Sequence, residues 1–319
     1  MAELQSPEHL RLAPARLFAH YFEKRAESLA FYRRVRRRGV PPPTFTREHV
    51  LYHSWLPGFL ELDADTAARV SAWMHDGGRA PSLPSELTEA LASRGWCDAP
   101  PPPRLDQLLE KAFTVFPAIQ NPKELRLFLE EVAARQPRTV VEIGTAAGGV
   151  LYCLSQLAHP EALLVSIDIP EGLYGEGQDE EECALFSTFV GTRQRLEFIR
   201  DRSFHYSTKR DLAALLGGRQ VDLLFIDGDH SYAGAKSDFE MYSEFVGRDG
   251  LVAFHDIMMF PETWGRGFDV GIFWRELSAL RPTREIVDPD APLRPPPAEA
   301  AERFGMPALG FGLIPWTAG

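Results

Sequence analysis

The 319-residue sequence predicts an α/β fold: a mostly parallel sheet with helices on both faces and a mostly helical segment ahead of it. Three observations carry that expectation. From about residue 120, short apolar runs alternate with stretches of helical spacing, the signature of strand–helix–strand units joined by right-handed crossovers. Several apolar runs end in Gly, Asp or His. Hydrophobic residues make up 45% and charged residues 25%, the balance of a globular chain able to bury a core.

The first hundred residues read differently. Proline is abundant, 26 of 319 residues, and much of it is clustered at Pro41-Pro42-Pro43, in the run 100–103 and at Pro295-Pro296-Pro297. Such runs favour extended backbone and cannot sit inside helices, so they mark joints. Helical spacing is expected over about 14–38, 63–75 and 84–94. Residues 1–105 therefore form a helical appendage, suited to a lid, a substrate arm or a homo-oligomer arm, and 106–319 form the α/β domain. The appendage carries 14 basic and 12 acidic side chains, net +2; the remainder carries 20 and 33, net −13. An acidic main domain disfavours nucleic acid as partner. The run Arg33-Arg34-Val35-Arg36-Arg37-Arg38 fits the solvated last turn of a helix. No run approaches the roughly 18 apolar residues of a membrane span, and the start lacks a signal-peptide pattern. With three scattered cysteines, Cys97, Cys153 and Cys183, a cytoplasmic location is expected.

The elements follow in order. Asn121-Pro122-Lys123-Glu124 predicts a helix start, with Leu125, Phe128, Leu129 and Val132 facing inward and Pro137 ending it. Thr139–Ile143 is a first strand, running into Gly144-Thr145-Ala146-Ala147-Gly148-Gly149 and a helix to about His159. Leu163–Ile167 is a second strand, followed by Asp168. Leu196–Ile199 is a third, with a helix over about 208–216. Val221–Ile226 is a fourth, ending in Asp227-Gly228-Asp229-His230. A helix is expected over 234–246, with Phe245 and Val246 on its inner face. Gly250–Phe254 is a fifth strand, ending in His255-Asp256. A helix over 270–280 and strands at 284–287 and 309–314 complete the chain.

In such sheets ligands bind outside the carboxyl ends of the strands. The first of those ends reads Glu142-x-Gly144-x-x-x-Gly148-Gly149, which is not the Gly-x-Gly-x-x-Gly fingerprint of dinucleotide sites. A looser glycine loop headed by an acid suits a ligand with a cationic amino-acid end and no phosphate. Asp168, at the next strand end, is placed to hold a ribose diol with two hydrogen bonds. An amino acid, a ribose and no phosphate together describe S-adenosylmethionine.

At this point the sequence resembles a known group. Val141-Glu142-Ile143-Gly144-Thr145 and Ser166-Ile167-Asp168 are similar to the first two motifs of the Rossmann-like class I S-adenosylmethionine-dependent methyltransferases. The segment from Leu224 through Asp227-Gly228-Asp229-His230-Ser231-Tyr232, then Asp238 and Gly250–Ile257, resembles a bacterial family of small-molecule O-methyltransferases. That family is allied to macrolide-sugar O-methyltransferases and to proteins named after cephalosporin hydroxylase. The likeness covers roughly half the chain and leaves out its first hundred residues. It implies a seven-stranded sheet in the order 3-2-1-4-5-7-6 with the last strand antiparallel. It also implies cofactor contacts from Glu142, Gly144, Thr145, Gly148, Gly149, Asp168, Ile169, Ser203 and Asp227. After the third strand this chain reads Arg200-Asp201-Arg202-Ser203 where the family has Gly-Asp-Ser, so Ser203 is the adenine-side candidate.

Methyl transfer to oxygen needs a base for the acceptor proton, a group that stabilises the forming oxyanion, or both. The resemblance implies Asp227 as metal ligand and His230, three residues on, as general base. At the fifth strand end Asp256 matches a metal ligand, and His255 stands where relatives have a carboxylate or amide. Oxygen ligands suit Mg²⁺, and an imidazole moves preference toward Mn²⁺ or Fe²⁺. Tyr174, Trp264 and Phe268 are candidates for an aromatic acceptor pocket, with core packing the alternative. The leading expectation is an O-methyltransferase of a small hydroxylated metabolite, a phenol or glycosylated natural product. A metal-independent O- or N-methyltransferase, an oxidoreductase and a non-catalytic binding module are the competing readings.

Overall fold

A computed structural model describes residues 105–116, 118–170, 178–191, 193–294 and 306–317. The helices expected before residue 100, the arginine run, the three proline runs, Cys97 and Tyr174 lie outside those residues. Among the described residues no helix is long and apolar enough to cross a membrane.

Helix α1 (Leu105–Thr114) opens the described chain and is followed by α2 (Pro122–Arg135). Asn121 caps α2 as its sequence predicts: Oδ1 accepts from the backbone N–H of Lys123 and Glu124. Glu124 does not reach back to complete a capping box. It turns inward, and its carboxylate accepts backbone N–H groups from Asp288, Leu309 and Gly310.

Strand β1 (Thr139–Ile143) leads into α3 (Gly149–Leu157), β2 (Leu163–Asp168) and α4 (Glu180–Phe186). Next come β3 (Arg195–Arg200), α5 (Tyr206–Leu216), β4 (Val221–Ile226) and α6 (Tyr232–Tyr242). After a 3₁₀ turn at Ser243–Phe245, the chain forms β5 (Val246–His255), α7 (Pro261–Trp264), α8 (Val270–Leu280), β6 (Arg284–Ile286) and β7 (Phe311–Pro315).

The seven strands form one sheet in the order β3-β2-β1-β4-β5-β7-β6. Strands β1 to β5 pair in parallel, and β7 runs antiparallel to both β5 and β6. The strand order reverses at β1, which is flanked by β2 and β4, so the crevice belongs at the carboxyl ends of β1 and β4.

One expectation is corrected. Phe245 and Val246 are not on a helix; α6 ends at Tyr242, and Val246 already pairs with Val221. Apolar residues three and four apart suggest a longer helix, but the edge of β4 offers Val246 backbone partners that a further helical turn cannot.

Alternate residues of each strand point to opposite faces, which is why two cores form. Val140, Leu164, Leu223, Phe225, Ala253 and Phe311 pack under α1, α2, α3 and α4. Val141, Val165, Leu224, Ile226, Val252 and Phe254 pack against α5, α6 and α8. Along β1, β2 and β4 the ionisable side chains stand at or next to the strand ends, and the site lies at the carboxyl ends.

Candidate active site

The glycine loop after β1 is shaped by its backbone. Gly144 has φ 85°, and a Cβ there would lie 2.0 Å from the carbonyl oxygen of Asp227. Its N–H donates to the Ile167 carbonyl, while Asp227 N–H donates to the Ile143 carbonyl. The β1 loop and the β4 end are therefore in direct contact. Gly148, at φ 80°, precedes α3, and Gly149 begins it where a Cβ would meet the Phe116 carbonyl at 2.3 Å.

Glu142 is buried beneath this loop. Its Oε2 accepts the Thr145 hydroxyl at 2.8 Å, and that hydroxyl also lies 2.6 Å from Ser166 Oγ. Oε1 has no partner among the described residues. Burial pushes the Glu142 carboxyl well up from its ordinary range; the Thr145 hydrogen bond opposes this, and the charges of Asp227 and Asp168 add to it. Gln178 donates to Ser166 and leaves its own Oε1 buried without a partner among the described residues.

Asp168 has work that its sequence position does not reveal. Its Oδ2 accepts the N–H of Thr145 at 2.8 Å and of Ala146 at 3.0 Å, and its Oδ1 accepts the N–H of Ile169 at 2.7 Å. The carboxylate clasps the glycine loop to the end of β2. Burial raises its pKa, and those three N–H groups work against the rise. Ser203 lies beyond β3, the sheet neighbour of β2, and its carbonyl accepts the Tyr242 hydroxyl.

At the reacting end, Asp227, His230 and Asp256 come together with one ligand atom each, all within 4.8 Å of one another. His230 Nε2 is 3.1 Å from Asp256 Oδ2. The His230 ring is partly exposed, while Asp256 is buried. Asp256 adopts φ 61°, a left-handed backbone that side chains seldom occupy and that concentrates at functional sites.

His255, the third residue the sequence pointed to for metal, does not join that group of three. Its Nδ1 donates to Asp227 Oδ1 at 3.1 Å and also stands 3.1 Å from Asp256 Oδ1. Burial alone would lower the His255 pKa, but Asp227 and Asp256 outweigh it and hold the ring protonated well above its ordinary range. The other nitrogen, Nε2, is buried without a partner among the described residues.

Sequence reasoning missed Gln120 altogether. Its Nε2 donates to Asp227 Oδ2 at 2.9 Å across 107 positions of chain. A single glutamine ahead of a helix cap carries no motif. Of the expected aromatic residues, Phe268 stands 5.9 Å from the His230 ring and Trp264 stands 6.4 Å from Phe268.

The strand order is the one that the resemblance to class I S-adenosylmethionine-dependent methyltransferases implies. Residues 141–257 match the family described as "Methyltransferase domain". Two curated relatives are similar in sequence. An uncharacterized protein of Sinorhizobium fredii is 30% identical over 155 residues, 48% of this chain and 16% of that protein. An uncharacterized protein of Acanthamoeba polyphaga mimivirus is 31% identical over 118 residues, 37% of this chain and 51% of that protein. The matches thus span about a sixth and about half of the relatives' lengths. Among solved structures, the O-methyltransferase TomG from Streptomyces achromogenes, involved in tomaymycin synthesis, aligns with a TM-score of 0.44 at 16% identity. That alignment covers 79% of this chain and 98% of TomG.

Proposed function

We propose that this protein is an S-adenosylmethionine-dependent O-methyltransferase of a small hydroxylated metabolite, assisted by a divalent cation. The observation that carries the reading is the meeting of Asp227, His230 and Asp256 beside the glycine loop, with Gly144 packed against the Asp227 backbone. The acceptor oxygen and the methyl donor then share one crevice.

The residues suit both bound groups. The buried free oxygen of Glu142 and the cradle at Gly144, Thr145, Gly148 and Gly149 fit a cationic amino-acid end. We assign Asp168, whose Oδ1 accepts the Ile169 N–H, and Ile169 to the ribose, and Ser203 to the adenine. Asp227 and Asp256 are paired oxygen donors of the kind Mg²⁺ takes, and carboxylates suit Mn²⁺ as well. When bound, S-adenosylmethionine supplies an electrophilic methyl group, and a divalent cation supplies positive charge for the forming oxyanion.

His230, the most exposed of the three, takes the proton from the acceptor hydroxyl, and Asp256 orients its ring through Oδ2. With the donor bound, the oxygen that His230 deprotonates would take the methyl group, and the electron pair of the broken carbon–sulfur bond would return to sulfur. Trp264 and Phe268 pack against the core, and Phe268, whose ring is 5.9 Å from that of His230, is the residue we assign to the acceptor wall. We assign residues 1–105 to covering the acceptor or to pairing with a second copy.

One observation favours a second reading. His255 Nδ1 stands 3.1 Å from a carboxylate oxygen of each acid, and a protonated ring there would supply positive charge without a metal. A single experiment separates the two. The full-length chain is incubated with S-adenosylmethionine and a panel of phenols and glycosides, with and without EDTA, and products are read as a mass gain of one methyl. Turnover that EDTA abolishes and Mg²⁺ or Mn²⁺ restores supports the metal-assisted reading. Full turnover in EDTA supports the metal-free one. No methylated product from any acceptor, in a protein that also fails to bind S-adenosylmethionine, overturns both.

A further inference from the structure

Asp227 is held at both ends of its carboxylate by donors from distant parts of the chain. Gln120 Nε2 donates to Oδ2 at 2.9 Å, and His255 Nδ1 donates to Oδ1 at 3.1 Å. A carboxylate with one donor can still rotate about its last bond; with a donor on each oxygen it cannot without breaking one of them. Each oxygen keeps lone-pair capacity after accepting one hydrogen bond.

Both donors are themselves fixed. Gln120 is buried and immediately precedes the capped start of α2, so its backbone moves with that helix. His255 is the last residue of β5, with its ring 4.7 Å from the ring of Phe311 on the neighbouring strand β7. One turn beyond Gln120, Glu124 draws Leu309 and Gly310 against the same helix.

This arrangement leaves two buried atoms without partners among the described residues, Gln120 Oε1 and His255 Nε2. Buried polar atoms without partners weaken a fold, and a leucine or phenylalanine at either position would avoid the cost. What both residues share is the orientation of Asp227.

We propose that Gln120 and His255 are positioning residues that together clamp Asp227 in the orientation in which it and Asp256 bind a divalent cation. The inference rests on the metal-assisted reading. Donors of this outer kind fix the geometry of carboxylate ligands, and losing one costs about 10–100-fold in metal affinity.

The test compares the full-length wild type with Gln120→Met and His255→Phe, each of which keeps volume and removes the donor. Mn²⁺ affinity is measured by calorimetry and by the electron paramagnetic resonance of free Mn²⁺. S-adenosylhomocysteine affinity is measured in EDTA. The clamp predicts Mn²⁺ binding weakened by about 10–100-fold in each variant with S-adenosylhomocysteine affinity held. Mn²⁺ affinity within twofold of wild type overturns it, as does an equal fall in both affinities, which would mean general loosening of the crevice. If His255→Phe does not fold, Gln120→Met decides alone. A wild type that binds no Mn²⁺ removes the metal reading itself, and the clamp with it; that outcome is visible before any variant is compared.

Discussion

His230 Nε2 lies 3.1 Å from Asp256 Oδ2, joining the loop after β4 to the end of β5. The carboxylate end of this pair is buried and the imidazole end is accessible, the arrangement expected when a buried acid aims a base at a substrate. His230→Ala should lower kcat by about 10²–10⁴-fold, the usual contribution of a positioned base. S-adenosylhomocysteine affinity should hold within a factor of about 2, because the glycine loop and Asp168 are untouched. Steady-state kinetics and calorimetry check the two halves. Equal kcat in the variant would remove His230 as base.

Gly144→Ala should be far more damaging than its size suggests. The added carbon would stand 2.0 Å from the Asp227 carbonyl oxygen, at a φ of 85° that alanine resists. Since both neighbours are backbone, neither can swing aside. A loss of about 2–4 kcal/mol in urea unfolding is expected, combining backbone strain with overpacking. Bound cofactor should also be lost, because relieving the clash means parting β1 from β4.

Asp238 makes stability depend on pH. It is fully buried on α6, and burial raises its pKa from an ordinary 3.8 to about 7; Ser203 partly offsets this and the charge of Asp229 adds to it. A folded chain that keeps a proton which the unfolded chain releases is stabilised at low pH. The contribution is complete below about pH 3.8 and is lost as pH rises through about 7. Asp238→Asn should therefore raise the melting temperature at pH 8 and change it little at pH 4. Thermal melts across that range test the sign; a variant less stable than wild type at pH 8 would contradict it.

Glu124 ties α2 to two segments far along the chain through the N–H groups of Asp288, Leu309 and Gly310. Glu124→Ala would leave these donors without their acceptor. A loss of about 3 kcal/mol is expected, and it should fall mainly on the β7 region. Hydrogen exchange should show faster opening at Leu309 and Gly310 than at β1 or β2. Uniform acceleration across the sheet would argue against a local tie.

Much of the fold could be read from local pattern. Strands β1 to β5 and the helices between them follow from apolar runs and helical spacing, and Asn121 and the glycine loop stand where their chemistry predicts. Helix α1 was not anticipated, although Leu108, Leu109, Ala112 and Phe113 have helical spacing; it follows directly on the proline run at 100–103, which reads as a boundary. Asp227, His230 and Asp256 were legible because strand ends are where a parallel sheet exposes polar groups. The clasp by Asp168 was not, because a carboxylate at a strand end looks the same whether it meets a ligand or a loop.

The sequence alone determined the class of fold, the glycine loop and the identity of the acids and histidines at the crevice, because periodicity and strand ends are properties of short segments. Which of those groups face one another was decided only by the assembled sheet. Asp227 takes its two donors from 107 positions before it and 28 after it, distances over which side-chain spacing carries no information. Packing of α2 against the sheet and the pairing of β4 with β5 bring Gln120 and His255 to one carboxylate. That convergence brings Gln120, which carries no motif, to the carboxylate that the sequence singled out at the end of β4.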